Sequence, residues 1–207
     1  MAPEDKHTYA PAEGHGLAHD PFNSIVGPRP IGWVSTVDAA GARNLAPYSF
    51  FNGFNYKPPI IGFCSTGEKD SIANVQATGE FVWNLATRAL AEQMNATSAT
   101  VPHEVDEFEL AGLTPVPSLK VKPQRVGESP VNFECRVTQI VRLKTAEGAD
   151  VNSWVTFGEV VMVHIDRRLI RDGIYDTGAA HPILRAGGPT AYIEVTPDAF
   201  FHMIRPK

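Results

Sequence analysis

The sequence predicts a mainly β domain with a few helices, an α+β fold centred on a β-barrel. Short apolar segments rich in β-branched residues, each bounded by turn residues, recur through most of the chain. Segments rich in helix formers are few, and they do not alternate regularly with the strands as they would in a doubly wound sheet. With 207 residues, the chain can bury a sizeable core without disulfides or metals.

The strand pattern starts after Pro30, and turn chemistry around Gly41 separates the first strand from the next segment. The second strand begins with proline, at Pro58. Proline is tolerated at the first position of a strand, because its missing N–H is not needed for a ladder hydrogen bond there. The predicted strands lie at 31–36, 58–65 and 80–86, followed by a long hairpin of 131–145 and 153–165 around the polar linker AEGADVN.

Three helices are predicted, at 70–79, 88–99 and 196–204. The first has Asp70 as its N-cap and Gly79 as its C-terminal stop. The last has Thr196 as a cap with Pro197 at the first helical position. We therefore expect residues 1–20 to form an N-terminal arm and residues 21–207 to form one domain.

The composition excludes some classes of function. The formal net charge of −5 argues against a nucleic-acid partner, whose phosphates require an excess of Lys and Arg. No apolar run approaches the roughly 20 residues that cross a bilayer, and the polar N-terminus does not resemble a signal peptide. Cys64 and Cys135 lack C-x-x-C spacing and are predicted to be small core residues in a reducing compartment. The expected location is therefore the cytoplasm.

The N-terminal arm contains three histidines, His7, His15 and His19, which raise the question of a metal site. Their spacings of eight and four residues, in a segment without periodicity, give no preformed ligand geometry. We therefore predict no metal.

The stretch GFCSTGEKDS, residues 62–71, resembles a phosphate-binding P-loop at first sight. In a P-loop a lysine follows the second glycine directly, so that its ammonium reaches the phosphates, and a hydroxyl residue comes next. Here Glu68 occupies the lysine position, and Asp70 separates Lys69 from Ser71. Two carboxylates beside a triphosphate would repel it, so the sequence argues against a nucleoside triphosphatase.

A single phosphate is a different matter. The stretch leads from a buried strand through a glycine turn into the start of a helix, where free N–H groups and a partial positive charge can hold an anion. Lys69 adds a cation, and Ser65, Thr66 and Ser71 add hydroxyl donors. The simpler interpretation is that Asp70 only caps the helix. These residues by themselves favour the simpler interpretation.

A longer series of motifs changes that balance. The segments PRPIGWVSTVDAAGARNLAPYSFFNGF, PPIIGF, EKDSIANVQATGEFVWNL, VDEFELAGLTPVPS and VNFEC occur in this order along the chain. Taken together, they resemble the flavin reductase-like family of FMN-binding split β-barrels, which includes flavoredoxin and the reductase components of two-component monooxygenases. The resemblance extends from about residue 22 to residue 195, and it implies an antiparallel Greek-key barrel with a few flanking helices.

The resemblance also implies a non-covalently bound FMN, often at a homodimer interface. Family members typically have Lys-Asp-Thr where this chain has Lys69-Asp70-Ser71, and serine keeps the hydroxyl. By position, Ser65, Lys69, Asp70 and Ser71 are expected at the phosphate, with Arg29, Ser35 and Thr36 near the ribityl chain and phosphate. Along the isoalloxazine edge we expect Ala46, Pro47, Tyr48 and Ser49. Phe50 and Phe51 are predicted to be core residues.

On the substrate side, the resemblance suggests that Phe108 covers the open face of the flavin and that His164 lies near the ring. A histidine at the end of a strand is more often structural, and both interpretations stay open here. Hydride passes directly to the flavin, so no acid–base catalyst is nominated.

The function implied is an NAD(P)H-dependent flavin reductase that supplies electrons to flavin, oxygen or a partner monooxygenase. The chain lacks a G-x-G-x-x-G after a strand, so a nicotinamide would bind transiently over the ring. The alternative is a flavoredoxin-like FMN electron carrier that does not react with NAD(P)H. A pyridoxamine-phosphate-oxidase-like enzyme and a barrel for a non-flavin ligand are two further possibilities.

Overall fold

The fold is built mainly from strands, as a computed structural model that describes residues 5–206 shows. The strands are β1 (Arg29–Pro30), β2 (Gly32–Val37), β3 (Arg43–Tyr48), β4 (Phe51–Asn55), β5 (Ile60–Thr66), β6 (Glu80–Asn84), β7 (Pro115–Val116), β8 (Arg125–Val126), β9 (Val131–Lys144), β10 (Asp150–Ile165), β11 (Ile170–Arg171), β12 (Ile174–Tyr175), β13 (Ile183–Arg185) and β14 (Tyr192–Glu194). The helices are α1 (Phe22–Ile25), α2 (Asp70–Thr78), α3 (Ala91–Ala96) and α4 (Glu107–Leu110).

Seven strands form one antiparallel sheet in the order β3-β2-β6-β9-β10-β5-β4. The two longest strands, β9 and β10, pair with three register shifts. Such irregularities bend a strand and increase its twist, which curls the sheet into a half-barrel. At one shift stands Gly158, where a Cβ atom would lie 2.3 Å from the buried ring of Phe81. Only glycine fits this close approach.

Both faces of the sheet are covered. One core cluster contains Val34 and Phe63 with Ile72 of α2, whereas the other contains Trp33 and Leu45 and includes Phe108 of α4. Trp33 and Val34 are neighbours in β2 and point to opposite faces, so β2 is buried along its whole length. This explains why its sequence is apolar without a clear alternation of polar residues.

Each predicted strand overlaps an observed strand. The predicted linker of the long hairpin, however, is too long. β9 ends at Lys144 and β10 begins at Asp150, so only residues 145–149 connect them. The predicted helix at 88–99 is a 3₁₀ turn, Arg88–Leu90, followed by α3.

The predicted helix at 196–204 is wrong. Thr196 and Pro197 do start a helical turn, but it is a 3₁₀ turn that ends at Ala199, and Phe200 is extended. The apolar side chains that follow find little to pack against, because Phe201 and Ile204 are 80% and 95% exposed. A short helix without a buried face is not stable.

The prediction for the start of α2 also needs correction. Lys69 is the cap residue and Asp70 is the first helical residue, with no side-chain cap bond at this end. Gly79 ends the helix in the left-handed conformation, as predicted. Among the described residues, no helix combines the length and the apolar character needed to span a bilayer. Of the predicted N-terminal arm, residues 1–4 lie outside the described part of the chain, and its boundary at residue 20 stays a prediction.

Candidate functional site

A cavity of about 370 Å³ opens at the start of α2. Three segments distant in sequence form its walls: strand β3, the turn into α2, and the loop between α3 and α4 with the first residue of α4. Its lining residues are Asn44, Ala46, Pro47, Tyr48, Glu68, Lys69, Asp70, Ser71, Thr97, Ser98, Ala99, Thr100, Val101, His103 and Glu107. This size is within the range of small-molecule and cofactor sites.

The turn into α2 forms one end of the cavity. After β5, Gly67 adopts a positive φ of 86°, which turns the chain, and Lys69 is extended just before the helix. The first N–H groups of a helix have no partner within the helix, and its dipole makes this end partly positive. The start of α2, which has nine residues, is therefore the kind of helix end that can hold an anion.

A buried amide and hydroxyl network fixes this end of the cavity. Asn44 Nδ2 donates to Ser71 Oγ at 2.8 Å and to Thr36 Oγ1 at 3.2 Å, and Asn74 Nδ2 donates to the same Thr36 oxygen at 3.0 Å. Since the Ser71 oxygen accepts from Asn44, its own proton is free to be donated to a ligand. All four side chains are buried, which holds β2, β3 and α2 in one geometry.

Tyr48, which lines the cavity, carries an unsatisfied polar group. Its hydroxyl is buried and has no hydrogen-bond partner among the described residues. Burial raises the pKa of Tyr48, and the nearby hydroxyls of Ser71 and Ser65 offset part of that effect. The cavity lining combines the Lys69 ammonium and the Ser71 hydroxyl with the apolar Ala46. This donor set fits a group with a phosphate and a planar ring, such as FMN.

Glu107 adds a second buried polar group to the lining. Its Oε2 accepts a hydrogen bond from the Leu45 backbone N–H at 3.0 Å. Burial raises the pKa of Glu107, and the bond from Leu45 offsets part of that effect.

His103 bridges two carboxylates at the rim of the cavity. Its Nδ1 lies 2.9 Å from Asp70 Oδ1, and its Nε2 lies 3.5 Å from Asp38 Oδ2. The bond to Asp70 and the charge of that carboxylate, with a smaller effect from Asp38, raise the pKa of His103. Sequence reasoning missed His103 because the stretch VPHEV contains no motif and its partners are more than 30 residues away.

We predict that this bridge makes stability depend on pH. Because the folded-state pKa of His103 lies above its unfolded value, the contribution is fully present below about pH 6.5 and is lost as the pH rises through the folded pKa. The difference in melting temperature between the wild type and His103→Gln should therefore shrink as pH increases. A difference that stays constant across pH would contradict the bridge, and His202→Gln in the exposed tail serves as the control.

Six of the predicted cofactor residues line this one cavity: Ala46, Pro47, Tyr48, Lys69, Asp70 and Ser71. Ser65 and Thr36 are buried behind it, where Ser65 Oγ donates to the Gly67 carbonyl oxygen at 3.2 Å. Ser35 lies on the opposite face of β2 from Thr36, and its Oγ donates to the Gln124 carbonyl oxygen at 2.5 Å.

Arg29, in β1, contacts the chain just after the C-terminal end of β3. Its Nε donates to the Ser49 carbonyl oxygen at 3.0 Å, whereas Ser71 contacts Asn44 at the start of the strand. Five extended residues separate these contact points by roughly 16 Å. Arg29 and Ser71 therefore lie too far apart to contact one phosphate group, and the expected place of Arg29 near the ribityl chain stays a prediction.

The two substrate-side residues are also outside this cavity. Phe108 is 1% exposed and packs in the core cluster that contains Trp33, so its ring offers no surface to a ligand. His164 lines a separate cavity of about 770 Å³, where its Nε2 lies 2.7 Å from Oε1 of the buried Glu134. Phe50, predicted as core, is 40% exposed.

Comparison with known proteins gives consistent results. The family described as "Flavin reductase like domain" matches residues 27–183. An uncharacterized protein from Aquifex aeolicus is 37% identical over 170 residues, which is 79% of this chain and 83% of that protein. Nitrilotriacetate monooxygenase component B from Bacillus cereus superposes with a TM-score of 0.81 at 28% identity, over 90% of this chain and 98% of that one.

A third comparison concerns the fold alone. A flavin reductase with a split barrel domain from Shewanella frigidimarina superposes with a TM-score of 0.76 at 24% identity, over 90% of this chain and 89% of that one. Together with the curled seven-stranded antiparallel sheet, this confirms the predicted split-barrel fold with a few flanking helices.

Proposed function

Because the chain belongs to the flavin reductase-like domain family, we propose that it is an FMN-binding oxidoreductase that uses NADH or NADPH as the electron donor. The electrons would pass to free flavin, oxygen or a partner monooxygenase. One observation carries the FMN assignment: the helix N-terminus at residues 69–71 and the proline-containing segment 46–48 of β3 line the same cavity. The similarity to a monooxygenase component supports the choice of acceptor.

The residues of the cavity divide the binding between two ends. At one end Lys69, the Ser71 hydroxyl and the first N–H groups of α2 would hold the phosphate. At the other end the β3 backbone would lie along the ring. Pro47 fixes its own φ and keeps Ala46 extended, so this wall is stiff. When bound, FMN supplies the redox chemistry.

The protein is further proposed to act as a homodimer in the cytoplasm. Support for the dimer comes from the C-terminal tail, where Phe201, Met203 and Ile204 are 80%, 84% and 95% exposed. Apolar side chains this exposed commonly mark a surface that another chain covers.

Anaerobic stopped-flow absorption with the FMN-loaded protein tests the proposal. NADH or NADPH should bleach the flavin band in a saturable reaction. A protein that is bleached only by a reduced protein donor would instead be an electron carrier, the alternative left open by the family resemblance. A chain that takes up no FMN on reconstitution would refute both functions.

A further inference from the structure

A second cavity, of about 480 Å³, lies beside β4 and is lined mainly by apolar side chains. Its walls include Ile25, Val26, Phe50, Phe51 and Phe54. Phe54 is 58% exposed at the rim and meets the ring of Phe157 edge-on, with their centroids 5.0 Å apart. An apolar cavity rimmed by rings suits a flat apolar ligand.

One charged group interrupts this apolar lining. Arg29 is only 8% exposed, and its guanidinium donates to the carbonyl oxygens of Asn23, Val26 and Ser49. Carbonyl oxygens satisfy hydrogen bonds but leave the positive charge in place. Within residues 5–206 no carboxylate pairs with Arg29, and its Nη2 donates to no protein atom. A buried charge without a counter-charge is unfavourable.

A second cation adds to this imbalance. Arg185 stands directly opposite Arg29 in the β1–β13 pair. In the described part of the chain its hydrogen bonds likewise go only to carbonyl oxygens, those of Gly188, Pro189 and Ala191, at 2.7 to 3.0 Å. Burial and the charge of Arg185 lower the pKa of Arg29. Like charges directly opposite across strands are destabilising, so an anion near Arg29 would relieve the repulsion.

The two cavities border the same segment of the chain. Tyr48 lines the first cavity and Phe50 lines the second, with only Ser49 between them. Two residues span at most about 7 Å. Since the ring end of the FMN is proposed to lie near Tyr48, a ligand in the second cavity would lie beside it.

We propose that the second cavity binds a small aromatic monocarboxylate, with its ring among Phe50, Phe51 and Phe54 and its carboxylate directed at Arg29. Its position beside the flavin rests on the proposed function, whereas the cavity and its charge do not. The apolar side chains of the cavity would favour a ligand with an aromatic ring. The Arg29 guanidinium, which has no counter-charge, would favour a carboxylate over a neutral compound.

Titration calorimetry with three probes tests this proposal on the full-length protein saturated with FMN. Benzoate should bind about tenfold more tightly than benzamide, which keeps the ring but lacks the charge. Acetate, which keeps the charge but lacks the ring, should also bind more weakly than benzoate. Equal affinities for benzoate and benzamide, or no benzoate binding even at about 10 mM, would overturn the proposal.

Three variants test whether benzoate binds in this cavity. They leave Arg29 and its hydrogen bonds to backbone carbonyl oxygens unchanged. Phe54→Ala should weaken benzoate and benzamide together. Arg185→Gln should weaken benzoate alone, by about threefold, as expected for a partly screened charge. Arg136→Gln replaces an exposed arginine on β9 outside the lining and should change neither. Benzoate binding that is unaffected by both Phe54→Ala and Arg185→Gln would place the ligand elsewhere and refute the site.

Sedimentation and flavin absorption on the same samples separate the remaining outcomes. If Phe54→Ala converts a dimer to a monomer and the wild type binds no benzoate, a second copy of the chain fills the cavity and the proposal is wrong. If the protein takes up no FMN on reconstitution and still binds benzoate in the expected pattern, the proposed function fails while the carboxylate site stands.

Discussion

Replacing Lys69 with alanine is expected to weaken FMN binding by about 10- to 100-fold, while riboflavin binding changes little. A charge-assisted hydrogen bond contributes about 1.5–3 kcal/mol, and riboflavin has no phosphate to receive it. Lys69 is exposed, so the substitution should not affect folding. Flavin fluorescence quenching with the two ligands measures the difference.

The double variant Lys69→Ala with Ser71→Ala should enlarge this difference between the ligands. Ser71 also accepts from Asn44, so the melting temperature of the double variant must be compared with that of Ser71→Ala alone. Lys57→Ala is a matched control, because Lys57 is an exposed lysine over the ring of Tyr56 and far from the cavity lining. If FMN and riboflavin weaken equally, the phosphate does not lie at the start of α2.

Glu134→Ala is expected to destabilise the fold by about 3 kcal/mol or more. The Glu134 carboxylate is fully buried and accepts from the Leu119 N–H at 2.8 Å, the Lys120 N–H at 2.6 Å and His164. Removing it leaves two backbone donors and an imidazole without their acceptor. Chemical denaturation measures the loss. Glu128→Ala is the control, since exposed Glu128 also accepts from a backbone N–H, that of Thr114 at 3.0 Å, and should cost less than about 1 kcal/mol.

The same carboxylate gives a pH dependence of defined sign. Burial alone would raise the pKa of Glu134, but the hydrogen bonds from Leu119, His164 and Lys120 outweigh burial and lower it. Its contribution is therefore present above the unfolded pKa and is lost as the pH falls through the folded pKa. A Glu134→Ala cost that does not diminish in acid would contradict this account.

The segments 46–48 and 69–71 of the cavity lining each belong to one continuous motif. Local patterning alone did not assign them to a cofactor; the order of the motifs along the chain did, through the family resemblance. His103 lies outside these motifs, and Glu107 lies in VDEFELAGLTPVPS without an assigned role; both reach the cavity only because α4 packs against β3 and because His103 contacts Asp70. Contacts of this kind depend on tertiary packing.

Arg29 and Asp70 illustrate a second limit. Each was assigned to a role by its position in a motif, yet the side chain has a different partner in the fold. Asp70 contacts His103 instead of capping its own helix, and Arg29 contacts the carbonyls of α1 and its flanks. A motif gives the backbone position, whereas the direction of a long or charged side chain is set by the neighbours that the rest of the chain provides.

The hydrogen-bonded cluster of Asn44, Thr36, Asn74 and Ser71 has a consequence for the encounter with a phosphate ester. These buried side chains already hydrogen-bond one another, so the conformational entropy lost in ordering them belongs to folding and not to association. A phosphate ester bound there, as proposed, would find them already ordered. Selectivity there should follow from the shape of a rigid cradle, with little adjustment of the protein.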